Sequence, residues 1–266
     1  MTYRLLWIFV ALVVTACSGA QVKLPANGPQ SAADLLAALP ASTVTSAQGQ
    51  ARLDAYVQGD RRSVTLLVVA NRPDQVQFQA LAPTLDLLGL LSSDGRHFVS
   101  FERGAATCQV GLACPANMQR FLPIPMPAAD MVAALLGDLR PLAAPPEQQR
   151  LGWDGERHLY RLELGPTTGW RQELFVDPGT RQAVGAVWYA GSRRVASVQY
   201  GGERSPGTLP ASVRVKVAAP DSDITIEYRD MQVNQPVNPE IFAVQCPPGT
   251  REVLLPCDAT PSGETK

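Results

Sequence analysis

The side chains best suited to chemistry in this chain are five cysteines, Cys17, Cys108, Cys114, Cys246 and Cys257, and two histidines, His97 and His158. A thiol can serve as nucleophile, metal ligand or disulfide partner, and an imidazole as general base or metal ligand. Both histidines fall in strand-like segments, where a partly exposed sheet position is the ordinary reading. Proton transfer needs a base with an orienting partner, and the spacing supplies none for either. The chain lacks a Gly-x-Ser-x-Gly elbow, a His-Glu-x-x-His pair, a phosphate-binding glycine loop and a dinucleotide fingerprint. Asp74, Asp86, Asp94, Asp130 and Asp177 lie mostly beside proline or glycine, in turns or helix starts, where a carboxylate serves the backbone. Two carboxylates distant in the chain could still meet for glycoside hydrolysis, but nothing favours it. The expectation is a protein without enzymatic activity, metal or cofactor.

Cys17 differs from the other cysteines in its flanks. Arg4 gives a small positive start, Leu5 to Val14 is apolar, and Val14-Thr15-Ala16 precedes the thiol. The apolar stretch is too short for a bilayer, which takes about 20 residues, so residues 1–16 read as a signal peptide and not as a membrane helix. The tetrapeptide resembles the bacterial lipobox. That resemblance implies a diacylglyceryl group on the Cys17 sulfur, cleavage before Cys17, and acylation, palmitate-type, of the new amine. At about 0.8 kcal/mol per buried methylene, two or three chains would anchor the protein to membrane lipid. Ser18, in place of aspartate, implies the outer membrane, periplasmic face. The alternative is an ordinary secretory signal cut after Ala16, with an incidental cysteine.

Either reading places the remaining four cysteines in an oxidising compartment. Of three connectivities, the sequence-local one, Cys108 with Cys114 and Cys246 with Cys257, is expected. Each bridge would close a short loop. A metal site would be the alternative, but the spacings are not Cys-x-x-Cys and no histidine adjoins them. The formal net charge is −1 with acids and bases interspersed, so there is no basic stripe and no nucleic-acid partner is expected.

The elements that must position these residues are mostly strands. Residues 17–30, small and polar with Pro25 and Pro29, read as a lipid-anchored tether. A folded domain is expected over 31–255 and a flexible proline-rich tail over 256–266. Ser31 can cap a helix to Leu39, with Asp34 at its positive end and Pro40 closing it. From Gly49 the period is two: Val76, Phe78 and Ala80 alternate with glutamines, Tyr160, Leu162 and Leu164 with charges, and Val213, Val215 and Val217 with Ser, Arg and Lys. Ile224, Ile226 and Tyr228 continue it past the turn Pro220 to Asp223. Asp177 to Thr180 and Ala190 to Arg193 are further tight turns. A second helix is expected from Pro127 to Gly137, with Met131, Val132, Leu135 and Leu136 as an apolar stripe packing on the domain's own sheet. Pro141 to Pro146 is a connection, after which strands resume at Trp153. Strands joined by short turns make an antiparallel sheet with one apolar face, long enough to curl. Leu85 to Leu91, with five leucines, is either a buried strand or an exposed apolar loop that meets lipid or an acyl chain.

Several motifs in order resemble the LolA and LolB lipoprotein carrier and receptor superfamily. These are Arg72-Pro73-Asp74-Gln75-Val76-Gln77-Phe78, Leu90 to Phe98 with its Ser-Asp-Gly hairpin, and Leu122-Pro123-Ile124-Pro125-Met126 with the helix to Gly137. Leu209-Pro210-Ala211, Val237 to Phe242 and Pro247-Pro248-Gly249 complete the series. The resemblance implies a mainly β (α+β) fold, an unclosed antiparallel β-barrel or strongly curled sheet with short helices lidding an apolar cavity. It implies acyl-chain binding, with Leu85, Leu87, Leu88, Leu90, Leu91, Met131 and Leu135 as candidate contacts. Arg72 would latch the lid, the alternative being a surface arginine before a strand-bounding proline. The chain departs from the soluble carrier through Cys17, and from both members through its extra cysteines and tail. The expected function is an outer-membrane lipoprotein that accepts or transfers lipids or lipoproteins by their acyl chains. The alternative is a structural or assembly module that docks an envelope protein partner. Metabolic labelling with palmitate should mark the wild-type chain and not Cys17→Ser; equal labelling of both would remove the lipobox reading.

Overall fold

The computed structural model describes residues 24–257 apart from 121–123, 125, 204 and 219–220. The signal segment, Cys17, the start of the tether and the tail beyond Cys257 lie outside the described residues.

The first element is α1 (Ala32–Ala38). The Ser31 hydroxyl accepts from the Asp34 amide, and the Asp34 carboxylate accepts from the Ser31 amide. This reciprocal cap satisfies two amides that a helix start leaves without partners. Six strands follow: β1 (Ser46–Val57), β2 (Asp60–Asn71), β3 (Gln75–Leu81), β4 (Leu87–Ser93), β5 (His97–Glu102) and β6 (Thr107–Leu112). Two helices interrupt them, α2 (Pro115–Met118) and α3 (Ala128–Leu135). The second run is β7 (Gln149–Asp154), β8 (Leu159–Leu164), β9 (Trp170–Val176), β10 (Ala183–Ala190), β11 (Arg193–Gly201), β12 (Ser212–Val217) and β13 (Ser222–Val233), and β14 (Arg251–Leu255) closes the chain. The second run begins at Gln149 and not at Trp153, because Gln149 already pairs with Leu164. His158 is in the turn between β7 and β8 at φ 56°, not in a strand.

All described strands form one sheet of fourteen in the order β14-β6-β5-β4-β3-β2-β1-β13-β12-β11-β10-β9-β8-β7. Every ladder is antiparallel except β14 with β6. The sheet is unclosed: β7 and β14 stand at opposite ends of the order. Its registers line up an apolar row across eight strands, Ala55, Ile224, Val215, Val198, Ala186, Leu174, Leu162 and Leu151. A sheet of this width cannot stay flat, because right-handed strand twist accumulates from strand to strand. The register of β1 against β13 slips between Gln50 and Ala51, and such a bulge bends the strand. Gly49, beside the slip, has φ 152°, and a Cβ there would collide with the Asp230 carbonyl, so no larger residue fits this bend.

The cysteines pair differently from the local expectation. Cys108 stands opposite Cys246 with Cα atoms 5.7 Å apart, and Cys114 opposite Cys257 at 5.9 Å. Cys108 lies in β6 and Cys114 just past its far end, so at about 3.3 Å per extended residue they are too far apart for a disulfide, which needs Cα atoms within about 7 Å. Because β14 runs parallel to β6, Cys246 before β14 meets the start of β6 and Cys257 after it meets the end. The pairs span 138 and 143 residues, and the first bridge to close a loop of that size stabilises by about 5 kcal/mol on the chain-entropy argument, while the second then closes only the short remaining loop and adds less. Peptide mapping of the oxidised protein should recover Cys108 linked to Cys246 and Cys114 linked to Cys257, and reduction should lower the urea midpoint. A peptide joining Cys108 to Cys114 would contradict this topology.

Candidate functional site

The path of the chain creates a lid. β6 and β7 are near opposite ends of the sheet order, so the stretch between them, carrying α2 and α3, must cross from one side of the curled sheet to the other. Met131, Val132, Ala133, Ala134 and Leu135 of α3 are all buried, which places this helix on the inner apolar face.

The last carbonyls of a helix have no intrahelical partner, and here the sheet supplies several. The Tyr200 hydroxyl donates to the Ala134 carbonyl at 2.7 Å, and the Tyr228 hydroxyl to the Leu135 carbonyl at 2.7 Å. The Asp138 amide donates to the Ala133 carbonyl at 2.8 Å, which fits the turn through Gly137 at φ 80°. Burial pushes the Tyr228 phenol well above its ordinary pKa of 10.0, so it remains a donor at any physiological pH. Arg72 completes the attachment. Its Nη2 donates to Asp138 Oδ2 at 2.7 Å and its Nε to the Val44 carbonyl at 2.9 Å. The side chains of this ion pair are only 20% and 30% exposed, so water screens it less than a surface pair. Arg72 therefore joins the end of β2, the segment entering β1 and the end of α3. The tyrosines escape a reading of local sequence because their role depends on a helix distant in the chain. The signal that existed was their place in the inward-facing set of an alternating strand.

The lid fills only part of the trough. Under α3 and across β7 to β12 the space is packed by Met131, Leu135, Tyr160, Leu162, Leu174 and Trp188. Toward β1 to β6 a cavity of about 670 Å³ remains, its lining including Leu53, Val64, Leu66, Phe78, Leu91, Ile224 and Ile226. Ser100, Gln109, Arg62, Glu102, Arg103 and Arg120 also border it. The size lies within the roughly 300 to 1,000 Å³ of small-molecule sites. An apolar floor with polar groups to one side suits an amphiphile.

The candidate contacts separate into three groups. Leu88, Leu90 and Leu91 border the cavity, and Leu91 stands opposite Phe78 in the ladder. Leu85 projects from the β3–β4 turn, 68% exposed, and Leu87 pairs with Leu81 at the start of β4. The leucine run is thus loop at its beginning and strand at its end. Met131 and Leu135 are fully packed in the core and do not line this cavity, because the inward stripe of α3 is consumed in covering the sheet. His97 is exposed at the head of β5, its ring Nδ1 3.2 Å from Asp94 Oδ2. Among the described residues no cluster of His, Cys, Asp or Glu is arranged to hold a metal.

Known structures share this architecture. A DUF1329 family protein from Desulfovibrio piger superposes with a TM-score of 0.52 at 13% identity, covering 79% of this chain and 93% of that one. A putative outer membrane lipoprotein-sorting protein domain from Vibrio parahaemolyticus gives 0.50 at 9% identity, covering 79% and 94%. A LolA superfamily protein from Nitrosomonas europaea gives 0.49 at 12% identity, covering 80% and 98%. No family profile matches the sequence, and no curated protein matches it. The likeness is one of fold and rests on the first two structures.

Tyr228→Phe should cost about 1 to 2 kcal/mol in urea unfolding, because it strands a helix-end carbonyl. The raised phenol contributes stability that is full below its ordinary pKa and is lost as pH rises toward the folded value. The variant should therefore lose less stability than wild type in strongly alkaline buffer; parallel pH curves would contradict the buried-donor role.

Proposed function

We propose that this protein is a periplasm-facing outer-membrane lipoprotein, anchored through Cys17, that binds the acyl chains of lipids or lipoproteins without covalent chemistry. The observation that carries this reading is the cavity of about 670 Å³ with its leucine, isoleucine and phenylalanine floor, left open beside the region packed under α3. The fold it shares with a putative outer membrane lipoprotein-sorting domain agrees with such a role. Affinity would come from burying methylenes at about 0.8 kcal/mol each. Handover then needs only a site that holds the cargo more tightly than its donor and less tightly than its acceptor. A second reading, a non-catalytic module docking an envelope protein, fits the packed half of the sheet but leaves the cavity without a role.

The test uses the chain from Ser18 onward, which retains every described residue. It should take up a fluorescent fatty-acyl probe saturably, and Leu91→Glu should weaken uptake by at least about tenfold by placing a carboxylate on the apolar floor. Circular dichroism checks that the variant is folded. Absence of uptake by folded wild-type protein would overturn the acyl-binding reading.

A further inference from the structure

The polar border of the cavity is unevenly charged. Arg62 lies in β2 opposite Ala55, and so on the same inner face as Val64 and Leu66. Arg120 follows α2 and borders the same cavity. Arg103 joins them, but Asp86 lies 3.5 Å from its Nη1, and Glu102 is the carboxylate among the lining residues. Among the described residues neither Arg62 nor Arg120 has an ion-pair partner. On strands nearby, by contrast, Arg52 meets Asp54, Arg214 meets Asp223 and Arg229 meets Glu227. Arg96 and Arg193, also without such a partner, are exposed at hairpin ends away from the cavity. Arg62 and Arg120 are exposed too, but they border a cavity whose floor is apolar, so an anionic head can meet them while its apolar part is buried. A guanidinium presents a planar fork of donors that matches the oxygens of phosphate or carboxylate.

We propose that the occupant is an amphiphile with an anionic oxygen head, phosphate or carboxylate, held by Arg62 and Arg120 while its acyl chain lies along the floor toward Phe78 and Leu91. This rests on the acyl-binding reading and narrows it to a class of cargo. A neutral acyl glycerol would fill the floor and leave both guanidinium groups facing an uncharged head.

The test compares palmitoyl lysophosphatidic acid, monopalmitoylglycerol and inorganic phosphate as competitors of a bound acyl probe, with wild type and the R62Q/R120Q double variant. Both arginines are exposed, so folding should survive, and a thermal melt checks it. The expected result is that the anionic lipid binds about tenfold more tightly than the neutral one at low salt. That advantage should shrink toward parity in R62Q/R120Q and in high salt, while monopalmitoylglycerol is unchanged and inorganic phosphate competes weakly. Equal affinity for the two lipids, or an advantage that survives in R62Q/R120Q, would overturn the head-group assignment and leave the acyl reading standing. Phosphate competing as well as the anionic lipid would overturn it in favour of a free-anion site. Failure of both lipids to bind folded protein would overturn both readings.

Discussion

An open sheet with one apolar face has to cover that face or expose it to water, and the rest of this structure follows from how the covering is done. Closing the sheet on itself would remove the difficulty, but β7 and β14 stand at opposite ends of the order. Cover comes from α1, whose Leu35 is buried in the same core, and from the stretch joining β6 to β7, of which α3 is the largest apolar element. An eight-residue helix is too short to be stable alone. It is held by burial of its stripe and by the donors that the sheet offers to its last carbonyls, from Tyr200 and Tyr228. Arg72, bonded to Asp138 and to Val44, ties the same helix end to β2 and to the segment leading into β1.

One short helix cannot cover fourteen strands. The packed region beneath α3 and the cavity beside it are consequences of one geometry: where the stripe of Met131 and Leu135 reaches, the inner face is filled, and where it does not, Leu53, Leu66, Phe78 and Leu91 line an opening. A cavity of this size forgoes the dispersion contacts that a filled core would have. An acyl chain would restore them, which is the physical basis for reading the opening as a binding site.

The outer side of the first strands is covered differently. After β13 the chain runs over the face opposite the cavity, where Gln77 donates to the Ile241 carbonyl and Ser92 to the Phe242 carbonyl at 3.1 Å. Phe242 is buried there. The chain then joins β6 as the parallel strand β14, with the paired cysteines at either end of that ladder. The strands that wall the cavity are thereby supported from outside while their inner face stays open, so a void can persist without the wall collapsing into it.

Much of this was legible in the residues. The alternation of Val76, Phe78 and Ala80, or of Val213, Val215 and Val217, marked strands and their inward sets, and Ser31 with Asp34 marked a helix start. These signals are local: period two, period 3.6 and caps are written within a few residues. The motif order also pointed to a lidded, unclosed sheet, which the architecture bears out. Leu85 to Leu91 stayed ambiguous because an apolar run carries no period, and only the ladder with β3 separates the exposed Leu85 from the strand that ends beside Phe78. The cysteines do not pair with their neighbours in sequence, because a strand separates Cys108 from Cys114 and the parallel partner β14 arrives from more than a hundred residues away. The sequence by itself determined which residues form strands and helices and which faces are apolar, because those depend on neighbours along the chain. The tertiary structure alone decided which part of the apolar face is packed and which is open, because that depends on how far α3 reaches across strands it meets only after folding.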